Sequence, residues 1–102
     1  MVLLEMSIVP VGKGGSLSPY VARCLDIVDQ SGLDYALHSM GTVVEGELDE
    51  VLQLMRRCIE ELARDNDRVS CTAKLDYRQG TSGQLQAKVT SVEQQLGRTL
   101  KK

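Results

Sequence analysis

Polar side chains that could bind a small ligand are spaced along the predicted strands of this chain. Glu5 supplies a carboxylate that can hold a cation or an amino group, and Lys74 supplies an ammonium that can hold that carboxylate in place. In a partly buried cleft a charge-assisted hydrogen bond contributes more than it does in water. The pattern predicts a ligand-binding site with the candidate residues Glu5, Ser7, His38, Thr42, Glu45, Thr72 and Lys74.

A purely structural role fits the same pattern equally well. Glu5 and Lys74 fall on adjacent predicted strands, where they could form a cross-strand salt bridge instead of contacting a ligand. His38 has no assigned carboxylate or nucleophile partner, so it is interpreted as a satisfied or solvated interface residue rather than a catalyst. No catalytic residue is predicted.

The composition indicates one domain spanning residues 1–102, with any ligand site opening onto a surface or a subunit interface. The net charge of -2 and the low aromatic content, Tyr20, Tyr35 and Tyr77, exclude the basic and stacking surfaces of nucleic-acid-binding proteins. The N-terminus has neither a basic leader nor a long apolar run. We therefore expect a cytoplasmic protein that binds neither nucleic acid nor membrane.

The cysteines are predicted to be buried, reduced and structural. Cys24, Cys58 and Cys71 are widely separated and form no C-x-x-C pair. Only His38 could join them as a metal ligand, so no metal site is predicted.

The first half of the chain has a strand-helix-strand pattern. Alternation predicts strand one over Val2–Val11, and helix one begins with Ser18 as its N-cap and Pro19 at its first position. Helix one ends at Gly32, and strand two covers Leu33–Met40. The apolar faces consist of Val2, Leu4, Met6 and Ile8 in strand one and of Val21, Cys24, Leu25 and Val28 in helix one.

The second half repeats the pattern after Gly41, which is expected to take the positive φ of a tight turn. Strand three runs to about Gly46, helix two ends at Asp65, and strand four covers Arg68–Tyr77. A third helix follows the loop at Gln79 to Gly83. The apolar positions are Val51, Leu52, Met55, Cys58, Ile59 and Leu62 in helix two and Leu85, Val89, Val92 and Leu96 in helix three.

The order β-α-β-β-α-β predicts an α+β, ferredoxin-like sandwich, in which a four-stranded antiparallel sheet has two helices on one face, plus a C-terminal helix. We call the other face of the sheet the free sheet face. Its predicted residues are Leu3, Glu5, Ser7, Val9, His38, Met40, Val43, Glu45, Thr72 and Lys74. This mixture indicates a face that meets another subunit and keeps polar groups for a purpose.

Other functions of this topology lack their required residues. The loop Gly12–Ser16 could bind an anion at a helix N-terminus, but it has no Walker pattern, and a flexible connection is favoured. An acylphosphatase needs an Arg in this loop, which offers Lys13, and an Asn in the turn after strand two, whereas Asn66 is the only Asn. RNA-recognition domains need aromatic residues on strands one and three, which are absent here.

The chain resembles the thiamine-binding protein family over almost its whole length. The run Met-Gly-Thr-x-x-Glu-Gly followed by Arg-Val and Lys-x-Asp-x-Arg is specific in combination. The matching residues are Glu5, Pro10, Gly12, Tyr20, Gly32, Tyr35, Met40, Gly41, Thr42, Glu45, Gly46, Arg68, Val69, Lys74, Asp76, Arg78, Lys88, Ser91, Val92 and Glu93.

The resemblance implies a homo-oligomer, commonly a tetramer assembled as a dimer of dimers. It also implies binding of thiamine or its hydroxymethylpyrimidine part without catalysis and without a further cofactor. Thiamine suits the free sheet face, because its thiazolium is cationic and its aminopyrimidine offers donors and acceptors. Two alternatives remain: an oligomeric scaffold protein with no metabolite ligand, and an undetected enzyme acting on a thiamine-related compound.

Overall fold

Four strands and three helices follow one another in the predicted order. The structure, a computed structural model, describes residues 1–102. Its elements are β1 (Val2–Pro10), α1 (Ser18–Gln30), β2 (Asp34–His38), β3 (Gly41–Gly46), α2 (Leu48–Ala63), β4 (Val69–Tyr77) and α3 (Gln84–Leu96). Each strand end lies within two residues of its predicted position, so the predicted element order is confirmed.

The strands form one antiparallel sheet in the order β2-β3-β1-β4. Both crossover helices lie on one face of the sheet, which confirms the ferredoxin-like α+β fold. Because β1 is an inner strand, Glu5 lies opposite Val43 of β3 on one side and opposite Lys74 of β4 on the other.

The core lies between the sheet and the helices α1 and α2. The predicted alternation of β1 is confirmed, since every second residue of the strand is buried. In α2 the prediction needs one correction: Leu54 is 3% exposed and faces the core, whereas Leu52 is 39% exposed. The buried hydrophobic residues are Val2, Leu4, Met6, Ile8, Cys24, Val28, Val44, Val51, Leu54, Cys58 and Leu62.

The start of α1 differs from the prediction. Leu17 is the N-cap and Ser18 is the first helical residue, so Pro19 occupies the second position. The hydroxyl of Ser16 accepts the Ser18 N–H at 3.3 Å. The side chain that bonds to the backbone at the start of the helix is therefore that of Ser16, not that of Ser18 as predicted.

An Arg-carboxylate cluster connects α1 to α2. Nη2 of Arg23 lies 2.7 Å from Oε2 of Glu61 and 2.9 Å from Oδ1 of Asp65. The hydrogen bonds from Arg23 hold the pKa of both carboxyl groups below their ordinary values. The cluster therefore contributes a pH-dependent link between the two helices.

Helix α3 packs on the free sheet face, against β2 and β3. Leu85 and Val89 are half-buried there, whereas Val92 is 43% exposed and Leu96 is 51% exposed. The helix thus covers one half of the free sheet face, and part of its own apolar surface remains in solvent.

Candidate functional site

Glu5 and His38 contact each other on the free sheet face, although β3 runs between their strands. Nε2 of His38 lies 3.5 Å from Oε2 of Glu5, and the two side chains are 41% and 50% exposed. Nδ1 of His38 accepts the Met40 N–H at 3.2 Å, so the neutral imidazole carries its proton on Nε2, facing Glu5. Both ring nitrogens therefore already have partners.

The contact depends on Gly41, which lies opposite His38 in the β2–β3 ladder. The prediction that Gly41 has a positive φ is wrong, because its φ is not among the positive values. What requires a glycine is close approach: an added Cβ would lie 2.9 Å from the Met6 carbonyl oxygen and 3.7 Å from Cε1 of His38. Without a side chain at this position, the imidazole can reach over β3 to Glu5.

Three more predicted residues lie beside Glu5. Ser7 and Thr72 are opposite each other in the β1–β4 ladder, and Lys74 is opposite Glu5. The salt bridge between Glu5 and Lys74, one of the two alternatives for this pair, is not formed, and the ionic contact of Glu5 is with His38. The carboxylate, the imidazole, the ammonium and the two hydroxyls form what we call the polar cluster.

Glu45 lies on the free sheet face but serves a structural purpose. It is only 4% exposed, and its carboxylate accepts the N–H groups of Gln84 at 2.8 Å and Leu85 at 3.4 Å. These are unpaired donors at the start of α3, so Glu45 caps that helix. The structure therefore does not place Glu45 in the open polar cluster.

Thr42 lies on the opposite side of the sheet from the polar cluster. Its pairing with Met6 turns its side chain toward the helices, and it is 4% exposed. Thr42, predicted as a ligand-binding residue together with Glu5, therefore does not share a face with Glu5. Side chains alternate along a strand, so Thr42 cannot share a face with Glu45.

A groove of about 860 Å³ nevertheless connects the two faces. It opens between α1, β1 and the turn of the β2–β3 hairpin. There β1 extends beyond Met6–Thr42, the last pair that it forms with β3. Ser7, His38 and Thr42 line it together with apolar side chains that include Ile8, Leu25 and Met40. The volume falls within the range of small-molecule pockets, which is about 300–1,000 Å³.

Neither this groove nor the place of Ile8 in its lining was predicted from the sequence. The signal that was present is the unequal length of the strands: β1 has 9 residues and β3 has 6. A shorter neighbour leaves part of a longer strand without a partner at its edge.

The remaining chemistry of the molecule is limited. Cys24, Cys58 and Cys71 are free thiols. Hydrogen bonding with Cys24, followed by burial, raises the pKa of Cys58, and burial raises the pKa of Cys71. Across residues 1–102 no group of His, Cys, Asp and Glu side chains is arranged to hold a metal ion. None of the three helices combines the length and the apolar composition that crossing a bilayer requires.

Fold and site together define a small ferredoxin-like α+β protein with a ligand-sized groove beside its free sheet face. The chain matches the family model described as thiamine-binding protein over residues 4–93. The UPF0045 protein MJ1052 of Methanocaldococcus jannaschii is 34% identical over 91 residues, which cover 89% of this chain and 91% of that protein. The UPF0045 protein Mb1933 of Mycobacterium bovis is 35% identical over 96 residues, covering 93% and 94%.

Solved structures agree with this match. The crystal structure of MJ1052 superposes with a TM-score of 0.82 and 34% identity, covering 89% of this chain and 94% of that chain. A Thermotoga maritima protein described as a candidate for thiamine biosynthesis or salvage has a TM-score of 0.79, covering 89% and 97%; at 23% identity this shows the fold alone. The chain belongs to the thiamine-binding protein family, and the predicted resemblance is confirmed.

Proposed function

We propose that this protein binds thiamine, or its hydroxymethylpyrimidine part, on the open half of the free sheet face. The observation that carries the proposal is the polar cluster: an exposed carboxylate with an imidazole, an ammonium and two hydroxyls, at the mouth of a groove of about 860 Å³. The family match supports thiamine as the ligand.

Each residue of the polar cluster has a proposed role. Glu5 attracts the thiazolium cation, and its half-exposed position leaves room for a ligand. Ser7 and Thr72 offer hydroxyls to the hydroxyethyl group or to ring nitrogens, and the His38 imidazole, rather than Lys74, holds the carboxylate in position. The carboxylate of Glu45 already accepts a backbone N–H of α3, so Glu5 is the carboxylate that remains to bind the cation.

The proposed activity is binding without catalysis. The two nitrogens of His38 are engaged by Met40 and Glu5, so the imidazole is not poised as a base beside a nucleophile. The family is named for binding, which supports the same conclusion. Because the chain carries three free thiols, we place this function in the reducing cytoplasm.

The proposed partner is a second copy of the chain, joined along β4. This strand has 9 residues and lies at the edge of the sheet, with Leu75 40% exposed and Tyr77 61% exposed. An antiparallel pair centred on Leu75 brings Lys74 opposite Asp76 of the second copy, twice by symmetry. Such a dimer covers the exposed edge and places the polar cluster near the subunit interface.

The exposed side of α3 supports a second interface. No residue of α3 is buried, and Val92 and Leu96 present apolar surface to solvent. A contact through this helix would join two β4-linked dimers into the proposed dimer of dimers.

Isothermal titration calorimetry with thiamine, hydroxymethylpyrimidine and thiamine phosphate tests the proposal. We expect micromolar binding of thiamine, about -8 kcal/mol. Glu5→Gln should weaken the binding of thiamine more than that of the neutral hydroxymethylpyrimidine. Asp26→Asn, which changes an exposed carboxylate on α1, is the matched control and should leave both affinities unchanged. Flat titrations with folded protein would instead support the oligomeric scaffold.

A further inference from the structure

Two buried cysteines face each other between the helices α1 and α2. The Cys24 thiol donates to the Cys58 carbonyl at 3.8 Å, and the Cys58 thiol donates to the Cys24 carbonyl at 3.7 Å. Because the contacts are reciprocal, each sulfur lies against the backbone of the other residue, and the two helices approach each other closely at this point. Cys24 is 5% exposed and Cys58 is fully buried.

An adjacent ionic contact holds this pair in place. Arg23 donates to the backbone carbonyl of Glu61 at 2.7 Å and to its carboxylate at 2.7 Å. Arg23 precedes Cys24 on α1, and Glu61 follows Cys58 by almost one turn on α2. The contact therefore keeps the two cysteines opposite each other, as a disulfide between two helices requires.

The two thiols also interact with each other. Their mutual hydrogen bond is the largest influence on both groups, and it lowers the pKa of Cys24 and raises the pKa of Cys58. When the pair loses one proton, the negative charge therefore rests on Cys24, while Cys58 keeps its S–H. Because the thiolate is the nucleophilic form of cysteine, Cys24 is the reactive member of the pair.

Cys24 is also the member that can be reached from outside the core. It lines the groove between α1, β1 and the β2–β3 hairpin together with apolar side chains such as Val21 and Leu25, whereas Cys58 is not part of that lining. A reagent that reaches this nearly buried thiol through an apolar groove must be small and uncharged. A hydroperoxide meets both conditions, and it supplies the oxygen that converts a thiolate to a sulfenic acid.

Cys71 provides a comparison within the same core. It lies opposite Ile8 in the β1–β4 ladder, so its side chain faces the same core layer as the helix pair. The thiols of Cys24 and Cys58 make their hydrogen bonds with each other's residue and not with Cys71. Burial raises the pKa of Cys71, which keeps it protonated.

We propose that Cys24 and Cys58 form a redox-sensitive pair, in which a small hydroperoxide that enters the groove converts the two thiols into a disulfide between α1 and α2. With hydrogen peroxide, the Cys24 thiolate attacks one oxygen, the O–O bond breaks, and the other oxygen leaves as water with the proton that Cys24 released. Sγ of Cys58 then attacks the Cys24 sulfenic acid. The S–S bond forms, the S–O bond breaks, and the hydroxyl leaves as water with the Cys58 proton.

The disulfide links the two helices of the core covalently. Helix α1 forms one wall of the groove, and α2 packs against β1. A bond between the helices fixes that wall relative to the sheet, and a thiol reductant reverses it. The reaction needs no thiamine, so it is independent of the proposed function.

Peptide mapping of the folded wild type tests the bond directly, because trypsin separates the three cysteines. Cleavage after Lys and Arg leaves Cys24 in peptide 24–56, Cys58 in peptide 58–64 and Cys71 in peptide 69–74. After hydrogen peroxide treatment and alkylation of the remaining thiols, we expect peptides 24–56 and 58–64 to be joined and peptide 69–74 to be alkylated. Dithiothreitol should separate the joined peptides. Three thiols that stay reduced, or a bond that includes Cys71, would overturn the proposal.

Two matched variants test the order of the steps. Cys58→Ser removes the second sulfur, so Cys24 should stop at the sulfenic acid, which dimedone traps on peptide 24–56. Cys71→Ser changes the cysteine outside the pair and should form the disulfide at a rate within about twofold of the wild type. If dimedone marks Cys71 instead of Cys24 in Cys58→Ser, the assignment of the reactive thiol is wrong.

Denaturation in urea tests whether the native helices accommodate the bond. The oxidised wild type should unfold at a higher urea concentration than the same protein in dithiothreitol, because the cross-link restricts the unfolded chain. Cys58→Ser treated with peroxide should show no such rise. A lower midpoint for the oxidised wild type would mean that the bond distorts the helices, which contradicts the proposal. Should a variant fail to fold, the peptide map of the wild type decides.

Discussion

The imidazole of His38 reaches over β3 to within 3.5 Å of the Glu5 carboxylate. The two residues belong to strands that are not neighbours in the sheet, whose order is β2-β3-β1-β4. Gly41 makes the contact possible because it contributes no side chain between them. The contact holds the carboxylate against His38, which lines the groove, beside the place where we propose that the ligand binds.

Gly41→Ala should therefore destabilise the protein and separate Glu5 from His38. The new Cβ would lie 2.9 Å from the Met6 carbonyl oxygen, so β3 must shift away from β1. We expect a loss of about 1–3 kcal/mol in the free energy of unfolding, measured by urea denaturation. Gly14→Ala is the control, because nothing lies within 4 Å of its Cβ and its φ is not positive. Equal stability of the two variants would contradict this role of Gly41.

Glu45→Gln should release α3 while leaving the sheet intact. The buried carboxylate accepts two N–H groups of α3, and an amide can accept only through its single oxygen. We expect a cost of about 1–3 kcal/mol and faster amide hydrogen exchange along α3, with slow exchange retained in β1. Glu5→Gln, on the same sheet face but exposed, should change stability by less than about 0.5 kcal/mol. Unchanged exchange in α3 would show that Glu45 does not hold the helix.

Arg23→Gln should remove a pH-dependent part of the stability. Arg23 lowers the pKa of Glu61 from its ordinary 4.5 and that of Asp65 from its ordinary 3.8. The stabilisation is thus fully present above these values and is lost as pH falls through the lowered pKa values. The urea midpoints of variant and wild type should differ at neutral pH and converge as pH falls through the lowered pKa values. Arg57→Gln, an exposed change on α2, serves as control; a difference that stays constant with pH would contradict the assignment.

Ala73→Pro should break the proposed β4 interface without breaking the sheet. Odd-numbered residues of β4 direct their N–H groups away from β1, so proline at this position removes only an outward donor. One chain has a mass of 11.2 kDa, so the mass of each assembly should be a multiple of that value. Light scattering should show that the mass of the variant assembly is half that of the wild type. Thr72→Pro, whose N–H faces β1, should lower stability instead. An unchanged mass for Ala73→Pro would exclude this interface.

The fold could be predicted because its signals are local. The alternation of β1, the acidic start of α2 and the glycines between elements each depend on neighbours in the sequence. The one error in the core, Leu52 in place of Leu54, arose because both fall within the wide apolar stripe of α2 and only packing selects between them.

The site was less predictable because it depends on contacts between distant residues. The adjacency of the strands that carry Glu5 and Lys74 followed from the topology, and it is confirmed. The capping role of Glu45 depends on where α3 docks, 39 residues further along the chain. The contact with His38 needs a glycine on the strand between, which no local pattern encodes. The groove follows from the shorter length of β3, a signal that the sequence did carry.

The most direct test of the central proposal is a titration of isotope-labelled protein with thiamine, followed by the backbone amide signals. If thiamine binds at the proposed site, we expect saturable shifts for Glu5, Ser7 and Ile8 in β1 and for Lys74 in β4, with small changes elsewhere. It is contradicted if thiamine in large excess moves none of these signals, or if the shifts are confined to the opposite end of the sheet.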